Sequence, residues 1–184
     1  GYTIRIPQSK GAENKYYKRE TYAPGTNLTA AELPGHDLKG IASIIAKNYV
    51  SQIMTGLVHS DVHPGNIRVN EKDVYLLDRN FYLELDTNDQ TLITAIATAD
   101  KNGKADALAT YVKHHNPNAR EEIKAGIEAR LGDDVQSLAH TMQYIREEDA
   151  KIPLRASLLL KNLLSINNLA VRAGFESVKD AIKY

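Results

Sequence analysis

The sequence carries the stretch Leu57-Val58-His59-Ser60-Asp61-Val62-His63-Pro64-Gly65-Asn66, followed by the apolar run Tyr75-Leu76-Leu77 and then Asp78. The stretch and its continuation place two carboxylates and one amide around a loop between apolar segments. Asn66 follows Asp61 by five residues, and Asp78 stands at the end of the apolar run. This pattern predicts a polar site on a loop that short strands support.

The residue types in this pattern suit phosphoryl transfer. Asp61 can orient an attacking hydroxyl or accept its proton. Asn66 and Asp78 can hold Mg²⁺ against phosphates, because Mg²⁺ prefers oxygen ligands and keeps several waters, so that few protein ligands suffice. The five-residue interval is that of the kinase catalytic loop, and the metal-binding Asp of kinases likewise ends an apolar strand.

The rest of the chain predicts an α+β fold that is mainly helical. The alternating segments Tyr2–Ile6 and Tyr16–Tyr22 suggest an N-terminal hairpin, and Thr29 is a plausible cap of a short helix. A long helix is expected over about Asp37–Thr55, closed by Gly56, with an apolar face that includes Met54. Later segments are expected as follows: a small hairpin at Ile67–Asn70 and Val74–Leu77, then helices at about Asn88–Asp100, Lys104–His115, Asn118–Leu131, Asp134–Glu147, Pro153–Ala173 and Glu176–Lys183.

Composition narrows the function classes. The 184 residues include 23 basic and 23 acidic side chains, so the formal net charge is +0, which argues against nucleic-acid binding. The absence of cysteine excludes disulfides, thiolate metal sites and a cysteine nucleophile. No leader sequence is visible, and polar residues interrupt the apolar run Leu154–Val171, which predicts a buried helix and no transmembrane segment. We therefore expect a cytoplasmic protein.

The loop resembles that of the UbiB/AarF (ADCK-type) family of atypical protein-kinase-like proteins. The family pattern His-x-Asp-x-His-Pro-Gly-Asn is matched from His59 to Asn66. Upstream, Ile4–Pro7 and Tyr16–Gly25, with Leu28, resemble the two strands, the hinge and the start of the helical lobe. The resemblance implies the C-lobe of a protein-kinase-like fold, with residues 1–28 as hairpin and hinge remnant of the N-lobe and residues 29–184 as helical catalytic lobe.

The resemblance also implies site roles. Asp61 is then the catalytic-loop aspartate, with His59 shaping the same loop. Asn66 and Asp78 are then the metal ligands in an ATP- and Mg²⁺-dependent kinase or ATPase. Glu20 lies at the hinge, where backbone groups meet adenine. The family further implies an acceptor related to lipid metabolism, and with it an association with the periphery of a membrane.

Two departures from the family pattern bear on activity. The metal-binding segment reads Asp78-Arg79-Asn80 where the family carries Asp-Phe-Gly. Asn tolerates a left-handed backbone better than most residues, so the turn can survive. The phosphate-covering loop, the strand lysine and its partner glutamate are expected from a missing N-lobe, supplied by the rest of a longer chain or by another chain. We expect the isolated chain to be inactive.

Three other functions remain open at this level. A small-molecule phosphotransferase of the aminoglycoside or choline kinase type shares the same layout of His, Asp and Asn. A pseudokinase-like regulatory module would bind a partner without phosphoryl transfer. His59-x-Asp61-x-His63 also contains the residue types of a transition-metal site.

Overall fold

The structure, a computed structural model, describes residues 1–10, 20–29, 35–79, 81–132 and 135–184, without the side chains of 135 and 136. The described strands are β1 (Thr3–Arg5), β2 (Thr26–Asn27), β3 (Leu57–His59), β4 (Ile67–Asn70), β5 (Asp73–Leu76) and β6 (Tyr82–Glu84). Four of them form a sheet in the order β1-β5-β4-β2, in which β1 and β5 are parallel and the other two pairs are antiparallel. Strands β3 and β6 form a separate antiparallel pair.

The long first helix, α1 (Leu38–Thr55), forms where its caps and apolar spacing predict it. The Asp37 carboxylate accepts a hydrogen bond from the Gly40 amide at 3.1 Å, which satisfies a free amide of the first turn. The helix ends at Gly56, whose φ of 77° is a left-handed conformation that glycine adopts without strain. Met54, expected on the apolar face, is instead largely exposed, although its neighbour Ile53 in the same turn is buried in the core.

The remaining described helices follow the predicted order with shifted boundaries. Asp100 accepts from the amide of Gly103 at 2.8 Å, so the third helix begins before Gly103 and contains it. The fourth helix begins at Ile123 and not near Asn118, because turns follow Pro117 and no side chain caps the segment. The helices are α2 (Thr87–Thr98), α3 (Lys101–His115), α4 (Ile123–Arg130), α5 (Val135–Glu147), α6 (Leu154–Arg172) and α7 (Val178–Lys183).

The core lies between α1, the sheet and the C-terminal helices. Helix α1 packs against α6, α7 and β3, and α6 also contacts α2 and α5. Along α6, apolar side chains recur every three or four residues and are buried: Leu159, Leu163, Ile166 and Leu169. The segment is therefore a buried amphipathic helix, as predicted. None of the described helices has both the length and the apolar run needed to span a bilayer.

The N-terminal segments join the sheet in a way that the sequence does not reveal. Strand β1 pairs with β5, about 70 residues later in the chain, while Ser9 and Glu20 form an isolated antiparallel bridge. Most of the expected second strand of the hairpin, and the short helix after Thr29, lie outside the described residues. Because β1 and β2 both pair with strands of the later segment, the division at residue 28 crosses a continuous sheet and stays a prediction.

Two strands near the loop were also not predicted. Leu57–His59, expected as the start of a loop, forms β3, and its partner β6 follows Asp78. The small hairpin of β4 and β5 is confirmed, and the mainly helical α+β architecture is confirmed with it.

Candidate active site

The loop between β3 and β4 is built from local contacts. Val58 and His59 are buried, which anchors the incoming strand. A short 3₁₀ helix, Pro64–Asn66, then turns the chain into β4. His63 caps this turn, because its Nδ1 accepts from the Gly65 amide at 3.0 Å. The loop therefore has a defined conformation before any ligand is considered.

Gly65 fits a close approach of the His63 ring and has no unusual backbone angles. It is not among the residues with positive φ. A Cβ atom at this position would lie 2.6 Å from Cε1 of His63, well inside van der Waals contact. The His63 ring and the absence of a side chain at Gly65 are therefore parts of one arrangement.

Asp61, Asn66 and Asp78 meet at this loop. The Asn66 Nδ2 atom donates to the Asp61 backbone oxygen at 3.1 Å and lies 3.4 Å from Asp61 Oδ2. The amide of Leu77 donates to the Asn66 backbone oxygen at 2.8 Å, which places Asp78, the next residue, beside Asn66. The structure thus brings together the three polar residues that the sequence singled out.

The donor set at this junction fits Mg²⁺. Because the Asn66 amide nitrogen points at Asp61, its Oδ1 atom points the other way and can serve as a ligand oxygen. Asp78 is exposed, and the hydrogen bond between Leu77 and Asn66 brings the backbone before Asp78 against Asn66. An amide oxygen and a carboxylate are ligands that Mg²⁺ accepts.

His59 ties the buried strand to Asp78. Its ring is 2% exposed, and Nε2 lies 2.8 Å from the Asp78 backbone oxygen. A carbonyl oxygen can only accept, so Nε2 carries the proton in this contact. Burial lowers the pKa of His59, which keeps the ring neutral. His59 therefore holds the loop and the segment that carries Asp78 together.

Asp78 itself has the unusual backbone. Its φ is 50°, a left-handed value that non-glycine residues seldom adopt. Arg79, which stands where the family has an apolar residue, is half-buried and stacks its guanidinium 5.0 Å from the centre of the Tyr82 ring. Asn80, the position that the sequence marked for a left-handed turn, lies outside the described residues.

Two candidate site residues, Lys161 and Asn162, were not identified from the sequence. The Lys161 ammonium lies 3.0 Å from Asp61 Oδ1, and the buried side chain of Asn162 contacts the loop on both sides of Asp61. Its Oδ1 accepts from the Val62 amide at 3.1 Å, and its Nδ2 donates to the His59 backbone oxygen at 2.8 Å. The one signal in the sequence is a pair of polar residues inside the Leu-rich segment of α6.

The electrostatics of Asp61 follow from these neighbours. The hydrogen bond from Lys161 is the main cause that lowers the pKa of Asp61, and the charge of Lys161 adds to it. His63 Nε2 lies 3.5 Å from the other carboxylate oxygen. The carboxylate therefore stays ionised at neutral pH and is better suited to orient a hydroxyl than to hold its proton.

Glu20 lies in a different part of the chain from the loop. Its backbone pairs with Ser9, and its side chain is exposed. The segment that follows it is joined to the loop, since Asn27 Nδ2 donates to the Gly65 backbone oxygen at 3.2 Å and β2 pairs with β4.

The histidines do not form a shared transition-metal site in this geometry. His59 Nε2 faces a backbone carbonyl, and His63 Nδ1 accepts from an amide. Within residues 1–10, 20–29, 35–79, 81–132 and 135–184, the structure contains no group of three or more His, Cys, Asp or Glu side chains able to hold a metal ion. A Mg²⁺ site that includes the Asn66 amide oxygen would not be such a group, because Asn is not among these residue types.

The fold and the loop define the chain as part of a kinase-like domain. The sequence profile of the ABC1 atypical kinase-like domain matches residues 20–112, just over half of the chain. The chain belongs to the ABC1 atypical kinase-like family, which confirms the resemblance to the UbiB/AarF type. No curated protein and no solved structure matches the chain significantly.

Proposed function

We propose that this chain carries the catalytic loop of an ATP- and Mg²⁺-dependent atypical kinase or ATPase. The observation that carries the proposal is the junction at which Asn66 contacts Asp61 through its side chain and binds the amide of Leu77 through its backbone. That junction collects one carboxylate for an acceptor and two oxygen donors for a metal. Membership of the ABC1 family favours this function over a phosphotransferase of the aminoglycoside or choline kinase type.

Each residue has a proposed role. Asp61 orients the acceptor hydroxyl, because its ionised carboxylate accepts a hydrogen bond. Asn66 and Asp78 hold the metal ion, and His59 positions Asp78 through its backbone oxygen. The hinge segment at Glu20 receives adenine, and its connection to the loop through Asn27 supports this assignment. Bound Mg²⁺ would offset the negative charge of the phosphate oxygens.

The proposal is tested by thermal unfolding with and without Mg·ATP, on this chain and on any longer chain that contains it. A ligand at about a hundred times its dissociation constant stabilises the folded state by roughly 2.7 kcal/mol. For a domain of this size the unfolding midpoint should rise by roughly 5–10 °C.

Two variants sharpen the measurement. Asp78→Ala should abolish the Mg²⁺-dependent part of the rise, because it removes a proposed metal ligand. Asp106→Asn is the matched control, since Asp106 is an exposed residue of α3 that pairs with Lys124 on the surface. If all proteins are folded and none shifts, phosphoryl transfer is wrong for this chain and the pseudokinase-like binding module takes its place.

A further inference from the structure

A lysine distant in sequence reaches the candidate catalytic loop. Lys161 donates from Nζ to Asp61 Oδ1 at 3.0 Å across a separation of 100 residues. The next residue, Asn162, is 1% exposed and binds the loop at His59 and Val62. Because these two hydrogen bonds fix α6 against the loop, the position of Lys161 beside Asp61 is set by the fold.

The two oxygens of the Asp61 carboxylate have different surroundings. Oδ1 faces the Lys161 ammonium, while Oδ2 lies 3.4 Å from Asn66 Nδ2 and 3.5 Å from His63 Nε2. A carboxylate offers about four acceptor positions on its two oxygens. An ammonium on one oxygen therefore leaves room for an acceptor hydroxyl while it limits rotation of the carboxylate.

We propose that Lys161 is a positioning residue that holds the Asp61 carboxylate in one orientation toward the acceptor hydroxyl, a role that rests on the phosphoryl-transfer function proposed above. Lys161 acts through Asp61. The Asp61 side chain is 41% exposed and that of Lys161 is 61% exposed, so the pair adds little to the stability of the fold. A loss of stability is therefore not the effect to measure.

The rate of the transfer step is the effect to measure, because Lys161 acts through the orientation of Asp61. Removing the ammonium frees the Asp61 carboxylate to rotate, whereas an arginine in its place keeps a cation beside Oδ1. A purely structural role of Lys161 would lower stability and leave the turnover of the folded protein unchanged.

The first experiment establishes that the variants are as stable as the parent, by comparing the thermal unfolding midpoints of the parent, Lys161→Met and Lys161→Arg. The matched control is Lys47→Met, which changes an exposed lysine of α1. We expect the four midpoints to agree, because an exposed ion pair adds little to stability. A midpoint that falls in Lys161→Met and not in Lys47→Met would make Lys161 a structural residue and overturn the positioning role.

The second experiment measures turnover of ATP in the chain that shows the Mg²⁺-dependent nucleotide effect. Lys161→Met should lower kcat more than it changes KM, because the orientation of Asp61 matters in the transfer step, and Lys161→Arg should recover most of kcat. Unchanged kcat in Lys161→Met, or an equal loss in Lys47→Met, would overturn the positioning role alone. Absence of turnover and of nucleotide binding in the folded parent would instead overturn the phosphoryl-transfer function, and the catalytic role of Lys161 with it.

Discussion

The Nε2 atom of His59 lies 2.8 Å from the backbone oxygen of Asp78, the residue whose φ is 50°. A left-handed backbone conformation of a non-glycine residue costs on the order of 1–3 kcal/mol, and it persists only where surrounding contacts stabilise it. His59 is itself held by Asn162, whose Nδ2 donates to the His59 backbone oxygen. The conformation of the proposed metal ligand therefore depends on a buried histidine and, through it, on α6.

The first prediction concerns the loss of this contact. His59→Leu removes the donor to Asp78 from a buried position, and we expect the free energy of unfolding to fall by about 1–3 kcal/mol. Urea denaturation measures the change, with the slope m compared between proteins to verify two-state unfolding. His140→Leu on the exposed side of α5 is the control and should change stability by less than about 0.5 kcal/mol. Equal stability of His59→Leu and the parent would show that the contact is dispensable.

The second prediction follows from the pKa of the same histidine. Burial lowers the pKa of His59 below its ordinary value of 6.5, so the unfolded chain takes up a proton at a higher pH than the folded one. The contribution of His59 to the free energy of unfolding is therefore fully present above pH 6.5. It is lost as the pH decreases from that value through the lowered pKa of the folded state. Urea denaturation at a series of pH values should show this fall in the parent.

The variant His59→Leu isolates the histidine contribution. Asp86, whose pKa is lowered chiefly by the backbone hydrogen bond from Asp89, loses its contribution only below its ordinary value of 3.8. The two decreases begin at different pH values, so the decrease that begins near pH 6.5 should be absent from His59→Leu while the loss below pH 3.8 remains. A decrease of the same size in both proteins would assign it to other groups.

The parts of the fold whose determinants are local could be predicted from the sequence, whereas the roles of the candidate site residues stay predictions. His59, Asp61 and Asn66 lie within eight residues, and the caps Asp37 and Gly56 specify α1 from neighbouring positions. Contacts between distant segments could not be predicted from the sequence, because Lys161 and Asn162 contact the loop only after α6 packs against α1. The parallel pairing of β1 with β5 and the pairing of β3 with β6 were missed for the same reason.

The third prediction concerns a buried ionic group that joins three helices. Asp89 is fully buried in α2, with Arg155 Nε of α6 2.7 Å from its Oδ2 and the Tyr111 hydroxyl of α3 2.6 Å from its Oδ1. Arg155→Met leaves the Asp89 carboxylate buried without its cation, which should cost about 3 kcal/mol, the lower end of the range because Arg155 is partly exposed. Thermal or urea unfolding measures the loss.

A matched substitution controls for the removal of an arginine from α6. Arg172→Met changes an exposed residue in the last turn of the same helix and should alter stability by less than about 0.5 kcal/mol. Tyr111→Phe should have an intermediate effect, since it removes one neutral donor from Asp89 and leaves the cation. If Arg155→Met and Arg172→Met are equally stable, the ionic group does not hold the three helices together.

The fourth prediction concerns Asn162, which both accepts from Val62 and donates to His59. Asn162→Leu leaves a buried amide and a buried carbonyl without this partner, and we expect a loss of about 2–4 kcal/mol from the two groups together. Asn162→Asp should be at least as harmful at neutral pH, because a buried carboxylate accepts from Val62 but faces the His59 oxygen with a negative charge.

Acidification separates these two variants. Burial raises the pKa of the new carboxyl in Asn162→Asp, so the folded state binds a proton at a pH where the unfolded state does not, and its stability improves as the pH falls. Once protonated, the carboxyl can donate to the His59 oxygen, which restores the second hydrogen bond. The stability gap between Asn162→Asp and the parent should therefore narrow toward acid pH, whereas the gap for Asn162→Leu should not. Asn168→Asp, exposed on the same helix, should show no such pH-dependent recovery, and its appearance there would assign the effect to general charge instead of the contact with the loop.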